Sequence, residues 1–192
     1  NTTPVLNLPA GAYTLTVDAS TDFTGAYTFR LVDLAAGLPT IQPLTLSTPV
    51  ILLPITNETD FYQFTTTAGT RIFVDVVDAS DPSNSTYRLI GPVGQQVFRA
   101  TSGLSADQDV TTLLTAGTYT FLVEGARANT GTADTYTINV RSVADDPFTI
   151  TEAQIDSGEV VINSAIGAPG ERDLYTFTLT APKNLYFDSL TN

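Results

Sequence analysis

The sequence predicts an all-β protein: an antiparallel, jelly-roll-like β-sandwich repeated in tandem. Three observations support this fold class. Charged residues make up only 15% of the 192 positions, so uncharged polar residues, Thr above all, must cover the surface, and β-branched Thr suits a pleated sheet. Apolar and polar residues alternate in short segments between Gly and Pro turns. Finally, three stretches of sequence recur in an order that fits one repeating frame, which indicates internal repeats.

The alternating segments predict the strands in chain order. Two lie near the N-terminus, at 13–17 and 27–31, and the others follow after residue 60. Residues 91–94 (GPVG) predict a hairpin turn between two of them. No segment shows a convincing helical period. The nearest candidate for a helix is 151–155, and Ser157 and Gly158 would terminate it. The later strands are predicted around these apolar positions: Tyr62 and Phe64; Ile72, Val74 and Val76; Tyr87 and Leu89; Val97; Tyr119, Phe121 and Val123; Tyr136, Ile138 and Val140.

The repeat is carried by three matches. Residues 8–17 (LPAGAYTLTV) match 114–123 (LTAGTYTFLV) at an offset of 106. The YTF at 27–29 then matches the YTI at 136–138 at an offset of 109. A third match, at an offset of 113, joins ETDFYQFTTTA at 58–68 to ERDLYTFTLTA at 171–181. Insertions in loops would produce this drift in the offset.

The order of the matches defines a repeating unit that opens with an Asp-x-Tyr-x-Phe strand and closes with an Ala-Gly-x-Tyr-Thr hairpin. Pro, Gly, Ala and Asp predict linkers at 34–44 and 143–147. The chain begins in mid-sequence and is expected to be a fragment of a longer protein. The frame predicts three domains: the C-terminal part of a preceding unit at 1–38, a complete unit at 39–143, and the N-terminal part of a following unit at 147–192.

Composition excludes several classes of function. The net charge is −12 and Lys183 is the one lysine, so the clustered cations needed to bind nucleic acid or an anionic membrane surface are missing. No apolar run is long enough to insert into a membrane. The chain has neither His nor Cys, which excludes Ser-His-Asp and Cys-His catalysis and ordinary zinc sites. The sequence therefore predicts a protein that is not an enzyme.

Three motifs in one order resemble the bacterial pre-peptidase C-terminal domain. These are DFYQF at 60–64, YRLIGPVG at 87–94 and the Ala-Gly-Thr-Tyr hairpin at 114–123. The resemblance implies a secreted β-sandwich with a non-catalytic accessory role. Such domains stand beside secreted peptidases or form tandem arrays in very large bacterial surface proteins, and some of them bind calcium or collagen.

Two loops are candidate calcium sites, because calcium takes six to eight oxygen ligands. One contains Asp78, Asp81 and Asn84, and the other contains Asp107 and Asp109. A third candidate is the acidic pair at 145–146 in the second linker. The alternative is that these residues are there because Asp and Asn cap turns.

The repeated positions have structural interpretations. Asp60 and Asp173 are predicted to enter a strand and hydrogen-bond a neighbouring turn, with a binding role as the alternative. The repeated tyrosines, among them Tyr62, are predicted to lie in the core rather than to form a sugar-stacking platform. Gly11 and Gly117 are predicted to adopt a positive φ in the hairpin.

The sequence thus predicts a non-catalytic structural or assembly module of a large extracellular or cell-surface protein: a fibre, an adhesin stalk or a matrix component. Its partners would be neighbouring copies of itself or adjacent repeats, and the two partial units could associate head to tail. The alternative is an accessory domain of a secreted enzyme, such as a peptidase, that binds a polysaccharide or a protein.

Overall fold

A computed structural model of the chain describes residues 5–18, 22, 24–34, 41–100, 103–126, 129 and 131–189, without the side chain of Leu52. The chain forms two compact units, Asn1–Ser142 and Val143–Asn192. Among the described residues, no helix has the length and apolarity to cross a membrane. The predicted boundary at 38/39 lies outside the described residues.

The first unit is a sandwich of two sheets. One sheet has the strand order β1-β3-β8-β5-β6 and the other has the order β2-β9-β4-β7. β1 pairs with β3 in parallel, whereas β2/β9, β3/β8, β4/β7, β5/β6 and β5/β8 are antiparallel. A short 3-10 helix at Gly103–Ser105 precedes β7. The strands are β1 (Ile41–Pro43), β2 (Val50–Ile55), β3 (Thr59–Thr66), β4 (Thr70–Ala79), β5 (Ser85–Ile90), β6 (Gln96–Arg99), β7 (Gln108–Leu113), β8 (Gly117–Gly125) and β9 (Asp134–Val143).

The core lies between the sheets and is built from alternate residues of each strand, as the period of two requires. Tyr62 and Phe64 of β3 face inward and meet Tyr119 and Phe121 of β8, and Tyr136 approaches from the opposite sheet. All five are buried. The structure therefore confirms the predicted sandwich and the core position of the repeated tyrosines.

The two ends of the N-terminal segment, residues 5–34, pack on the outer face of the five-stranded sheet. Val5, Val32 and Leu34 pack against an outer cluster of Phe61, Ile90 and Leu122. The Arg30 guanidinium lies over the Phe61 ring at 5.2 Å and donates to the carbonyl of Thr59 at 3.2 Å. The ends of the N-terminal segment are thus held on the sandwich.

The strands predicted at 13–17 and 27–31 are wrong for this chain, because none of the described residues of the N-terminal segment belongs to a strand. A strand needs a partner for its backbone hydrogen bonds. Gly11 does not have the predicted positive φ, whereas Gly117 does, at 139°. The linker prediction for 34–44 is wrong for its last residues, because Ile41–Pro43 form β1, which pairs with β3.

The second unit, called the C-terminal unit below, begins with a parallel pair. β10 (Asp146–Thr149) pairs with β11 (Asp173–Thr176). Between them lies α1 (Glu152–Asp156), close to 151–155, the nearest helical candidate of the sequence. Thr151 and Gln154 form its capping box. Lys183, which follows β11 in the chain, forms an ion pair with Asp156 of α1 at 2.5 Å.

Candidate functional site

A hydrogen-bonded group of Asp60, Tyr62 and Tyr136, called the tyrosine cluster here, joins the two sheets. The hydroxyls of Tyr62, on β3, and Tyr136, on β9, are 2.6 Å apart. The Tyr136 hydroxyl donates to Asp60 Oδ2, also at 2.6 Å. Tyr62 and Tyr136 are only 2% and 1% exposed. The cluster therefore links the opening strand of the predicted repeat to its closing strand through the core.

Burial determines the protonation of this cluster. It raises the pKa of Asp60, and the hydrogen bond from Tyr136 opposes that rise. Burial also raises the pKa of Tyr62 to about 12 and, together with the hydrogen bonds to Asp60 and Tyr62, raises the pKa of Tyr136 far above its usual range. Both phenols therefore keep their protons and act as hydrogen-bond donors. Asp60 was predicted to bond a neighbouring turn; its partner is instead a tyrosine of the opposite sheet.

The C-terminal unit repeats the strand pairing around this cluster. In the sandwich, Gln42 lies opposite Tyr62; in the C-terminal unit, Phe148 lies opposite Tyr175, and their rings stack at 5.0 Å. The backbone hydrogen bond that follows this pair along the strands is also common to the two units. Leu44 donates to the carbonyl of Gln63 at 2.7 Å, and at the corresponding positions Ile150 donates to the carbonyl of Thr176 at 2.9 Å.

Two members of the tyrosine cluster recur in the C-terminal unit. Tyr175, at the position of Tyr62, donates to Asp173 Oδ2 at 3.2 Å. The other carboxylate oxygen, Oδ1 of Asp173, is buried and has no hydrogen-bond partner among the described residues. Among the described residues, this oxygen has no donor that corresponds to Tyr136 at Asp60.

The N-terminal segment repeats a side-chain contact that lies at the start of β8 in the sandwich. Tyr13 donates to the carbonyl of Pro9 at 2.5 Å, and in the sandwich Tyr119 donates to the carbonyl of Thr115 at 2.6 Å. Both bonds span four residues at the same place in the predicted repeat. Tyr27, at the position of Tyr136, is 67% exposed.

The four predicted calcium ligands lie in turns and at strand ends. Asp78 is exposed at the end of β4. Asp81 accepts hydrogen bonds from two side chains of its own turn, one of them Asn84 at 2.8 Å. Asp107 accepts from a backbone N–H of β4 at 2.8 Å, and Asp109 from the N–H of the next residue at 2.6 Å. A calcium site at these residues stays a prediction.

Within the described part of the chain, one group of three carboxylates has oxygens that all lie within 4.8 Å of one another: Asp146, Glu171 and Asp173. Asp146 was a candidate from the sequence, whereas Glu171 was missed. Glu171 matches Glu58 in the sequence repeat, and this recurrence could have identified it as a candidate. Asp145, the other acidic residue of the linker, pairs with Arg172 at 2.6 Å instead.

Comparison with known proteins gives matches at the level of structure alone. No protein-family model matches the sequence, and no curated protein does. The lysozyme inhibitor PliG of Aeromonas hydrophila, a periplasmic inhibitor of g-type lysozyme, is 17% identical with a TM-score of 0.40, over 53% of this chain and 96% of that one. PliG of Salmonella Typhimurium is 18% identical with a TM-score of 0.36, over 53% and 99%.

The pre-peptidase C-terminal domain of a collagenase from Bacillus anthracis is also similar to this chain. It is 17% identical with a TM-score of 0.39, over 53% of this chain and 94% of that one. The resemblance drawn from the three sequence motifs is therefore also found among solved structures. These likenesses concern the fold.

Proposed function

We propose that the chain is a non-catalytic structural and assembly module of a large extracellular or cell-surface protein, in which β-sandwich units follow one another in tandem. A fibre, an adhesin stalk or a matrix component would be built in this way. The observation that carries the proposal is the location of the exposed aromatic side chains.

In the sandwich, residues 41–143, the exposed large apolar side chains among the described residues include no aromatic ring; they are Ile51, Val77, Val93 and Leu114. The exposed aromatic residues lie outside it: Tyr13, Tyr27, Phe29, Phe148, Phe177, Tyr186 and Phe187. Large exposed apolar surface marks a site of association. A domain that stacks sugars would instead present aromatic rings on its finished sandwich, so this distribution favours assembly over polysaccharide binding.

The tandem arrangement is supported by the common strand pairing of β1/β3 and β10/β11 and by the common Tyr-to-carbonyl bond of Tyr13 and Tyr119. Units that share their pairing and their polar cluster can be added one after another, as in other repeat proteins.

Two observations support a role without catalysis. The chain lacks His and Cys, so the usual general base and thiol nucleophile are missing. The two phenols of the tyrosine cluster hold their protons tightly and are buried in the core, where a substrate has no access to them.

Sedimentation velocity over a wide range of protein concentration, combined with electron microscopy, tests the assembly role. We expect the weight-average mass to rise with concentration and linear particles to form. High salt should not disperse them, because apolar contacts are not screened. A monodisperse monomer at every concentration would refute assembly and favour the alternative, an accessory binding domain.

A further inference from the structure

The outer face of the five-stranded sheet has an apolar area where a free-standing sandwich would be polar. Phe61, Ile90 and Leu122 form this outer cluster, and they point away from the core because the next residue of each strand points into it. They lie on three strands and are only 8%, 2% and 3% exposed. Outward apolar side chains are buried only when something packs on the face. The outer cluster is therefore a contact surface.

Two short stretches of the N-terminal segment form the cover, residues 5–7 and 30–34. Val5, in the first stretch, packs on the outer cluster, and Asn7 donates to the carbonyl of Val93 at 3.2 Å. In the second stretch the carbonyl of Leu34 accepts from the side chain of Gln63 at 2.9 Å. The described residues between the two stretches are exposed. Two stretches that are distant in sequence thus meet on one face.

The sequence repeat gives the places of these stretches in a complete sandwich. The first match, at an offset of 106, makes residues 5–7 the counterparts of 111–113, at the end of β7. The second match, at an offset of 109, makes residues 30–34 the counterparts of 139–143, at the end of β9. The two stretches that touch the outer face therefore correspond to two strand ends.

Those two strand ends lie at the same end of the sandwich. Leu113 of β7 pairs with Thr70, which begins β4 directly after the end of β3. The carbonyl of Val140, in β9, accepts from the N–H of Ser47 at 2.8 Å, in the turn before β2. Because the short turn at 56–58 joins β2 to β3, the start of β2 and the end of β3 share the opposite end. This end, called the β7/β9 end below, contains the counterparts of both stretches.

We propose that in the tandem array the β7/β9 end of each sandwich packs on the outer cluster of the next sandwich along the chain, so that consecutive units meet in a fixed joint. The partner of this surface is the adjoining unit of the same chain. The proposal rests on the tandem arrangement proposed above and specifies how its units are joined. Six residues, 35–40, connect the second stretch to β1. So short a tether gives a high effective concentration, and a modest apolar contact is then enough to hold the joint.

Spin labels test whether the second stretch is held on the outer face. The chain has no Cys, so Leu31→Cys and Thr112→Cys, both at exposed positions, allow pulsed electron paramagnetic resonance to measure one distance. We expect a single narrow distribution. Val32→Asp places a charge in the apolar contact and should roughly double the width, since a released segment behaves as a flexible chain. Val17→Asp is the matched control, because Val17 is 50% exposed in the middle of the segment; it should leave the width unchanged.

Trypsin tests the same contact from the side of the sheet. The Arg30 guanidinium lies over the Phe61 ring at 5.2 Å, so the docked segment withholds Arg30 from the protease. Phe61→Thr keeps a strand-forming residue at an outward position and should speed cleavage after Arg30 roughly tenfold, because cleavage follows the population of the open form. Val77→Thr, on the outer face of the other sheet and 56% exposed, should leave the rate unchanged. Circular dichroism establishes that each variant keeps its folded sandwich.

A broad distance distribution in the natural chain, or a width and a cleavage rate that ignore Val32→Asp and Phe61→Thr, would overturn the proposal. Electron microscopy of the native protein supplies the remaining test. Tandem units that repeat at one fixed angle would support the joint. Tandem units that meet at many angles would refute the joint and leave the proposed function intact. A native protein without tandem units would refute both, and the docked stretches would then be a strap on a single sandwich.

Discussion

Removing the Tyr136 hydroxyl should weaken the sandwich more than removing any hydroxyl that bonds only within its own hairpin. Tyr136→Phe keeps the ring and the core volume but deletes the hydrogen bond to Asp60 and the contact with the Tyr62 hydroxyl, both 2.6 Å long. A hydrogen bond to a charged group contributes roughly 1.5–3 kcal/mol and a neutral one about 1 kcal/mol. Water can reach part of Asp60, so we expect a loss of about 2–3 kcal/mol.

Urea unfolding followed by circular dichroism measures this loss, and an unchanged slope would show that the denatured state is the same. Tyr119→Phe is the matched control, because Tyr119 is equally buried and makes one neutral bond, to the carbonyl of Thr115. The control should cost about 1 kcal/mol. If Tyr136→Phe costs no more than Tyr119→Phe, the tyrosine cluster does not stabilise the contact between the sheets.

The loss should also depend on pH. Because burial raises the folded-state pKa of Asp60, its contribution to stability is fully present below the unfolded pKa, 3.8, and is lost as the pH rises through the folded pKa. Tyr136→Phe removes the bond that holds this pKa down, so the variant should lose stability further over the same rise in pH. The difference from the natural chain should therefore be larger at neutral pH than near pH 4; an equal difference at both would contradict the role of Asp60 as acceptor.

Three more perturbations follow from the structure. Glu124→Gln removes the negative charge that pairs with the Arg88 guanidinium, which is 2% exposed and 2.5 Å from that carboxylate. The change should cost roughly 2–3 kcal/mol in urea unfolding. Adding Arg88→Met should recover most of this loss, and no recovery would contradict the pairing. Gly125→Ala places a Cβ 1.8 Å from a backbone carbonyl oxygen and should lower the free energy of unfolding by about 1–3 kcal/mol. Gly131→Ala is the control, because the space around that position is open; its effect in the same urea unfolding measurement should be near zero. Burial raises the pKa of Tyr87 to about 12, so its contribution to stability should be present below pH 10 and lost as the pH rises through 12; tyrosinate absorbance and circular dichroism should change together there.

Much of the sandwich could be predicted from local sequence. Period-two alternation with β-branched and aromatic residues indicated the inward faces of β3, β8 and β9, because successive side chains of a strand point to opposite sides. The positive φ of Gly117 and the end of α1 near Ser157 and Gly158 could also be predicted, since turn and helix-end chemistry is local.

The same alternation failed in the N-terminal segment. Residues 8–17 resemble β8 closely in sequence, yet they form no strand here. A strand exists only when another strand accepts its backbone hydrogen bonds, and that partner is a tertiary property. Local pattern shows which strand a segment is able to form, not whether its partner is present.

By itself, then, the sequence determined the fold class, the recurrence of sequence segments and the absence of His and Cys chemistry, because composition and periodicity are properties of the chain alone. Only the tertiary structure decided that Asp60 bonds Tyr136 across the sheets, and that Asp173 keeps a buried oxygen without a partner. The physical reason is distance along the chain: 76 residues separate Asp60 from Tyr136, and the packing of one sheet on the other is what brings their polar atoms to 2.6 Å.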